Sequence, residues 1–265
     1  VSALGAPLPV MVIAEMLGVQ DGNLMAFKQW SDQVFSNIGE FLFGSPSEEA
    51  LAAADAMNKY FLQEIAALRV TPRDHLLGRL VATETDEGFL SDAELLSFCR
   101  LLLIAGNETT TGLISASAKI FHEYPETLEQ IAQQPELSAT FVEEALRFYS
   151  PFAATVRRAV ADTQIGGKPV TKGQLILPLI ASANRDERVF DEPERFIIDR
   201  KSNPHLALGY GIHFCLGAHL ARLEGRIAAE LLAKNFAKIT LAEPETAIMG
   251  GLGGPKTLPV ILTAK

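Results

Sequence analysis

Apolar residues recur at three- and four-residue spacing through most of the first half of the chain, with polar residues between them. The stretch "LPVMVIAEMLG" follows this rhythm and stops at Gly18, a residue suited to ending a helix. "NLMAFKQWSDQVFSNI" and "SEEALAAADAMNKYFLQEIAALRV" repeat the spacing, with Ser47 placed to cap the second and Pro72 just beyond its end. A short linker is expected around "TETDEGFL". The longest helical pattern covers about residues 91–122 and opens with Ser91 followed by Glu94, a capping box. At 1.5 Å per residue a helix of roughly 30 residues spans about 45 Å, enough to cross a domain. It is the expected central element. A further helix is predicted over about residues 135–149, ending before Pro151.

The period then changes. "TVRRAVADTQIGGKPVTKGQLILPLI" has β-branched runs and two glycine turns, the pattern of a small antiparallel sheet. "NRDERVFDEPERFIIDRKSNPH" is polar, contains proline and lacks a period, so ordered coil is expected. A helix should begin at or just after Cys215 and run to about Phe236. The tail "GGLGGPKTLPVILTA" reads as a glycine turn flanked by strand. With no repeat and no low-complexity linker, the pattern predicts a mainly α protein with a small β portion, built as a single unit.

Composition narrows the function classes. A chain of 265 residues can bury a sizeable core, and 48% hydrophobic with 21% charged residues is ordinary for a globular protein. The net charge of −9 argues against broad nucleic-acid binding, which needs a basic face. Two cysteines, Cys99 and Cys215, make no disulfide framework, so a reducing cytoplasm is expected. The longest apolar run, "LLLIAG", is too short to span a bilayer, and no secretory pattern opens the chain.

Candidate chemistry centres on "LALGYGIHFCLGAHLARLEGRIA". Gly209, Gly211 and Gly217 free the backbone for unusual angles and for close approach to something bulky. Cys215 lies where a helix begins, and the amides and dipole there favour thiolate over thiol. Four readings of that cysteine stand side by side. It could be an inert buried thiol. It could be a nucleophile with His213 or His219 as base, although no Asn or Asp is clearly placed to orient either. A zinc site would need several Cys or His ligands. A metal carried inside a cofactor needs one protein ligand, and haem iron is the main such case.

The stretch "LGYGIHFCLG", residues 208–217, resembles the cysteine-ligand signature of the cytochrome P-450 family, the haem-thiolate monooxygenases. Gly211, His213, Cys215 and Gly217 match its pattern, while Leu208 stands where the family usually has phenylalanine. Three further motifs follow the family's order. "AGNETT" resembles the oxygen-activation segment, "EEALR" carries the E-x-x-R pair, and "PERF" supplies an arginine. The resemblance covers essentially the whole chain and is nearest to bacterial and archaeal members.

The resemblance implies a cytochrome P-450-like fold and haem b (iron protoporphyrin IX) bound through Cys215. Ala105, Gly106, Arg157, Leu208, Gly209, His213 and Gly217 are the implied cofactor contacts, with Arg157 and His213 toward the propionates. Small side chains at 105 and 106 would leave a notch on the long helix. Glu108 and Thr109 are the implied catalytic pair for oxygen activation and proton delivery. An isolated helical threonine more often bonds the carbonyl four residues back. Glu144, Arg147 and Arg195 are expected to form a buried structural triad; on its own, the first pair would be an exposed ion pair. Substrate contacts are expected from Leu101, Leu102, Ala153, Ala154, Thr155 and Leu252, all small or apolar. The implied partners are a small apolar substrate, dioxygen and a ferredoxin- or flavodoxin-type electron donor.

Against the family's catalytic domain the chain reads as the C-terminal majority, residues 1–265 forming one partial domain without a preceding segment. Two functions follow as alternatives. One is a monooxygenase inserting one oxygen atom into an apolar substrate, with peroxide-driven turnover as a variant. The other is a non-catalytic haem-binding or structural fragment that needs the preceding portion for activity.

Overall fold

A computed structural model describes residues 5, 7–19, 23–86, 88–243 and 257–265, without the side chains of residues 42 and 43. The chain divides into two compact units, Ser2–Thr111 and Gly112–Lys265, and the boundary falls inside the longest helix.

The first unit is helical. It holds α1 (Pro7–Leu17), α2 (Leu24–Ser36), α3 (Ile38–Phe43), α4 (Glu48–Val70), α5 (Leu76–Val81) and the opening part of α6 (Asp92–Glu123). The predicted start signals act as expected. Ser47 Oγ accepts from the Ala50 amide, with Glu48 and Glu49 in the first turn of α4, where the dipole favours acids. At α6 the capping box closes both ways: the Ser91 amide donates to Glu94 Oε2 at 2.8 Å and the Glu94 amide to Ser91 Oγ at 3.3 Å. Phe27, Met57, Phe61 and Ile65 are fully buried where α2 meets α4. Phe27 sits edge-on to Tyr60 and Phe61, with centroids 4.9 and 5.5 Å away.

Two differences from the pattern appear here. The helix expected over "NLMAFKQWSDQVFSNI" is found as α2, ending at Ser36, and the short α3 that follows it was not expected. The expected linker around "TETDEGFL" is a minimal hairpin, β1 (Glu84–Thr85) against β2 (Gly88–Phe89). With two residues per strand it has no readable alternation.

The second unit continues α6 and adds α7 (Glu126–Gln133), α8 (Leu137–Phe148), the short strands β3 (Arg157–Arg158), β4 (Thr163–Ile165), β5 (Lys168–Val170) and β6 (Leu175–Ile176), α9 (Ile180–Ala183) and α10 (Ala218–Asn235). β7 (Phe236–Leu241) and β8 (Val260–Ala264) follow. Among the described residues the β portion is antiparallel but forms four separate two-stranded ladders, with β3 on β6, β4 on β5 and β7 on β8 in this unit. The helices expected over about residues 91–122, 135–149 and from Cys215 to Phe236 are found as α6, α8 and α10. The glycine turn expected in the tail, with Leu252, lies outside the described residues.

The core of this unit joins α6, α7, α8 and α10 through Leu113, Phe121, Ile131, Phe141, Val142 and Ala229. Phe121 and Phe141 stack at 4.9 Å with a 9° interplanar angle. Gly225 lets α10 lie close to its neighbours: a Cβ there would stand 2.8 Å from Leu113 Cδ2 and 3.1 Å from Val142 Cγ2. No described helix is long and apolar enough to cross a membrane.

Candidate functional site

The cysteine loop is fixed by backbone hydrogen bonds. The Leu206 amide donates to Asn184 Oδ1 at 2.7 Å, which anchors the loop where it leaves the coil. The Gly209 amide then closes a turn onto Leu206 O, and the Cys215 amide donates to Leu208 O at 2.7 Å. Between them runs a 3-10 turn, Gly211–His213. Gly209 has φ +77°, and a Cβ there would lie 2.7 Å from His213 O, so the doubled-back path requires glycine. Leu208 is buried in the core, which ties the loop to the unit's interior.

Cys215 is a free, partly buried thiol. Three residues later α10 begins, with Gly217 at its cap and no side-chain cap hydrogen bond. First-turn amides left without a side-chain acceptor favour an anion there. Tyr210, Ile212, Phe214 and Leu216 stand exposed on both sides of the cysteine, Ile212 at 98%. Large apolar side chains around an anion-favouring sulfur fit a flat apolar macrocycle bound through one axial ligand. His213 is exposed beside them, and so are Arg157 and Arg158 on β3. The Arg157 guanidinium donates to its neighbouring carbonyl, Val156 O, at 2.9 Å. Among the described residues no group of three or more His, Cys, Asp or Glu could hold a metal ion, so a zinc site has no ligand set there.

Beneath the loop lies a charged network whose central pair is closed off from water. Glu144 and Arg147 are both 0% exposed. Arg147 donates from Nε and Nη2 to the two Glu144 oxygens at 2.8 and 2.7 Å. Its remaining hydrogens reach Asn184 O, Pro193 O and Arg195 O at 2.9 to 3.0 Å. The alternative of an exposed ion pair is thereby excluded.

The third member differs from the expected one. Arg195 gives only its carbonyl; its side chain turns outward, is exposed and pairs with Glu192. Arg200, five residues on, is the arginine that enters, with its side chain 6% exposed and Nε 3.1 and 3.0 Å from the two Glu144 oxygens. The Ile197 amide and Asn203 Nδ2 complete the shell around Glu144. The only available signal was the second arginine in "PERFIIDR", where buried Phe196 shows that the coil turns inward.

A second acidic cluster was not anticipated. Glu143 accepts from Arg222 Nε and Nη2 at 2.7 and 2.8 Å and lies 3.3 Å from His205 Nε2. Burial pushes its carboxyl up, but the hydrogen bonds from Arg222 and His205 and their charges outweigh that and hold it at about 2.

The "AGNETT" segment belongs to the first unit. Thr109 Oγ1 donates to Ala105 O at 2.6 Å, the local back-bond of a helical threonine. Glu108 is partly buried on another face, 3.7 Å from Lys28 Nζ, and Lys28 is paired with Asp32. Desolvation raises the Glu108 carboxyl above the ordinary range; Lys28 opposes that shift and Asp32 reinforces it. Asn107 is fully buried and donates to Ser31 Oγ at 2.8 Å. Leu101 and Ala105 are exposed and Leu102 is partly so.

The notch expected at 105 and 106 is divided. A Cβ at Gly106 would stand 3.0 Å from Ile13 Cδ1 and Cγ1, so that glycine accommodates α1, about 100° round the helix from Ala105. Ala153, Ala154 and Thr155 are partly buried after α8. Their backbone is held by Ala181 N donating to Ala153 O and Thr155 N to Pro178 O, both at 3.0 Å.

Comparison with known proteins places the chain in a family. The family described as "Cytochrome P450" matches residues 15–247. The chain is 42% identical over 257 residues to the cytochrome P-450 YjiB of Bacillus subtilis, covering 93% of this chain and 64% of the relative. It is 41% identical over 263 residues to cytochrome P-450 119 of Sulfolobus acidocaldarius, covering 99% of this chain and 67% of the relative. The solved structure of CYP109E1 from Bacillus megaterium in complex with testosterone superposes with a TM-score of 0.88 at 36% identity, covering 99% of this chain and 72% of that one. The chain thus spans about two thirds of the length of these relatives. With a family match over most of its residues and the cysteine loop folded as described, the chain belongs to the cytochrome P-450 family.

Proposed function

We propose that this chain carries the chemistry of a haem-thiolate monooxygenase acting on an apolar organic substrate. The observation that supports this most strongly is the half-buried Cys215, held by the bond from its amide to Leu208 O at the start of α10 and flanked by exposed apolar side chains. In this reading Cys215 would hold the iron of haem b, and Arg157 and His213 would meet its propionates. Leu208, Gly209 and Gly217 would be further contacts in the cysteine loop, and Ala105 is a candidate contact on α6. Haem iron held by a thiolate supplies dioxygen activation, because the sulfur pushes electron density toward the bond to be cleaved. The balance is one substrate C–H, one dioxygen, two electrons and two protons, giving an alcohol and water.

The protein's own residues supply position and protons. The apolar rim of the cysteine loop keeps water from the sulfur and so preserves its donor character. Glu108, with its carboxyl raised by burial, holds a proton at Oε to higher pH than an exposed glutamate would. Lys28 fixes that carboxyl, and Asp32, 44% exposed, connects the pair to solvent. Thr109 can exchange its bond to Ala105 O for a bond to a water, placing a hydroxyl in line for proton transfer. Leu101 and Leu102 on α6, and Ala153, Ala154 and Thr155 after α8, are each candidate contacts for an apolar substrate; Leu252 lies outside the described residues. A steroid-sized ligand is consistent with the testosterone complex of CYP109E1. Electrons would come from a ferredoxin- or flavodoxin-type donor in the cytoplasm.

The test is the carbon monoxide difference spectrum of the reduced, haem-loaded protein with haem counted per chain, followed by turnover. A thiolate-type Soret band, lost in Cys215→Ala, together with product that becomes uncoupled in Thr109→Ala, is expected. A thiolate band without product under any electron supply would leave the haem-binding alternative. A band of the neutral-thiol or histidine type would overturn the ligand assignment.

A further inference from the structure

The two adjacent glutamates of α8 face different environments. Glu144 belongs to the buried network, whereas Glu143, about 100° round the helix, faces the cysteine loop. Its two partners bracket the cysteine in the chain. His205 immediately precedes Leu206, the residue that anchors the loop to Asn184, and its Nδ1 also accepts from the Ala207 amide at 3.3 Å. Arg222 stands in the second turn of α10, seven residues after Cys215. One carboxylate therefore holds both ends of the segment that carries the sulfur, accepting two hydrogen bonds from Arg222 and one contact from His205.

The charges also reach the sulfur. Arg222 is held protonated above the ordinary arginine range, by the Glu143 hydrogen bonds first, with burial opposing. The charge of Glu143 and then that of Cys215 add to the effect. Seven residues at 1.5 Å each put Arg222 about 10 Å along the α10 axis from Cys215, near enough for its charge to act on a negative sulfur. Arg222 and Glu143 are each about 30% exposed at the side chain, so solvent weakens this field without removing it.

We propose that the Glu143–Arg222 pair positions the cysteine loop and sets the electron-donor strength of Cys215, Arg222 drawing charge off the sulfur and Glu143 limiting how strongly it does so. The proposal rests on Cys215 being the haem ligand. It assigns to a surface-linked ion pair a role in the iron's reduction equilibrium, and it gives the two residues opposite signs. Removing Arg222 leaves Glu143 uncompensated and makes the sulfur a stronger donor, which favours ferric iron. Removing the Glu143 charge releases the field of Arg222 and favours ferrous iron.

The experiment is a spectroelectrochemical titration of the haem-loaded protein without electron-donor protein, for wild type, Arg222→Gln and Glu143→Gln. The expected result is a displacement of the ferric–ferrous equilibrium of about threefold or more in each variant, in opposite directions. Arg222→Lys and Glu143→Asp keep the charges and should each return most of the displacement. A purely structural role would move both variants the same way, through a loosened loop and a wetter sulfur. Equal signs, or no displacement in either variant, overturn the proposal while a thiolate-type carbon monoxide band in wild type leaves the ligand assignment standing. Absence of that band in wild type overturns both.

Discussion

Arg195 and Arg200 lie in one coil and differ sharply in surroundings, so exchanging each for alanine tests the buried network directly. Arg200 makes five hydrogen bonds: two to Glu144 at 3.1 and 3.0 Å, and one each to Asp191 O, Glu192 O and Arg195 O at 2.6, 3.3 and 3.1 Å. The exposed carbonyls can take water in its place. The Glu144 carboxylate cannot, because it is fully buried. Breaking a buried ion pair outright costs about 3–5 kcal/mol. Here Arg147 and the Ile197 amide still hold Glu144, so the loss in Arg200→Ala falls lower, at about 2–3 kcal/mol. With a urea dependence of about 2–3 kcal/mol per molar, the midpoint should drop by roughly 1 M.

The assay is urea unfolding of the haem-loaded protein, followed by far-ultraviolet circular dichroism and by loss of the Soret band. Arg200→Ala should lower the midpoint and release haem earlier. Arg195→Ala removes only an exposed partner of Glu192, and its curve should overlay that of wild type. The reasoning fails if Arg195→Ala lowers the midpoint as much as Arg200→Ala does.

Three further outcomes are expected. Burial pushes the Cys99 thiol up to about 12, so alkylation of the folded, haem-free protein at pH 8 should label Cys215 and spare Cys99, read by peptide mass spectrometry. Glu143 has its folded pKa depressed to about 2, so its stabilising contribution is present above the ordinary glutamate range of about 4.3 and disappears as pH falls toward 2; Glu143→Gln should flatten the loss of stability across that window in acid titrations. Gly225→Ala inserts a methyl 2.8 Å from Leu113 Cδ2 and should cost about 1–3 kcal/mol, seen as a lowered melting temperature, unless that leucine finds another rotamer.

The helices that position the site were legible because each obeys a rule that acts within a few residues. α4 is fixed by its Ser47 cap, and α6 by the reciprocal Ser91–Glu94 bonds. What stayed hidden was short. α5, with six residues, and α7, with eight, offer barely one or two turns of pattern, and the β1–β2 hairpin offers none. α2 was expected to reach Ile38 because the apolar spacing continues to that residue; it ends at Ser36, where the Asn37 side chain bonds back to Gln33 O.

The site divides along the same physical line. Cys215 and its glycines were readable because a helix start and the backbone freedom of glycine are local properties. The choice between Arg195 and Arg200 is not local. In a coil without a period, a side chain points inward or outward according to the path of the chain, and that path is set by long-range bonds such as Arg147 Nη2 to Arg195 O. That bond spends the Arg195 position on its carbonyl, which leaves the side chain on the outside and brings the next arginine to the carboxylate. A motif preserves which backbone passes the buried glutamate, and the fold then decides which guanidinium reaches it. The Glu143 cluster makes the same point from the other side. Its partners come from 62 and 79 residues away, so no window on the sequence contains it, although each of its members borders a motif that was recognised.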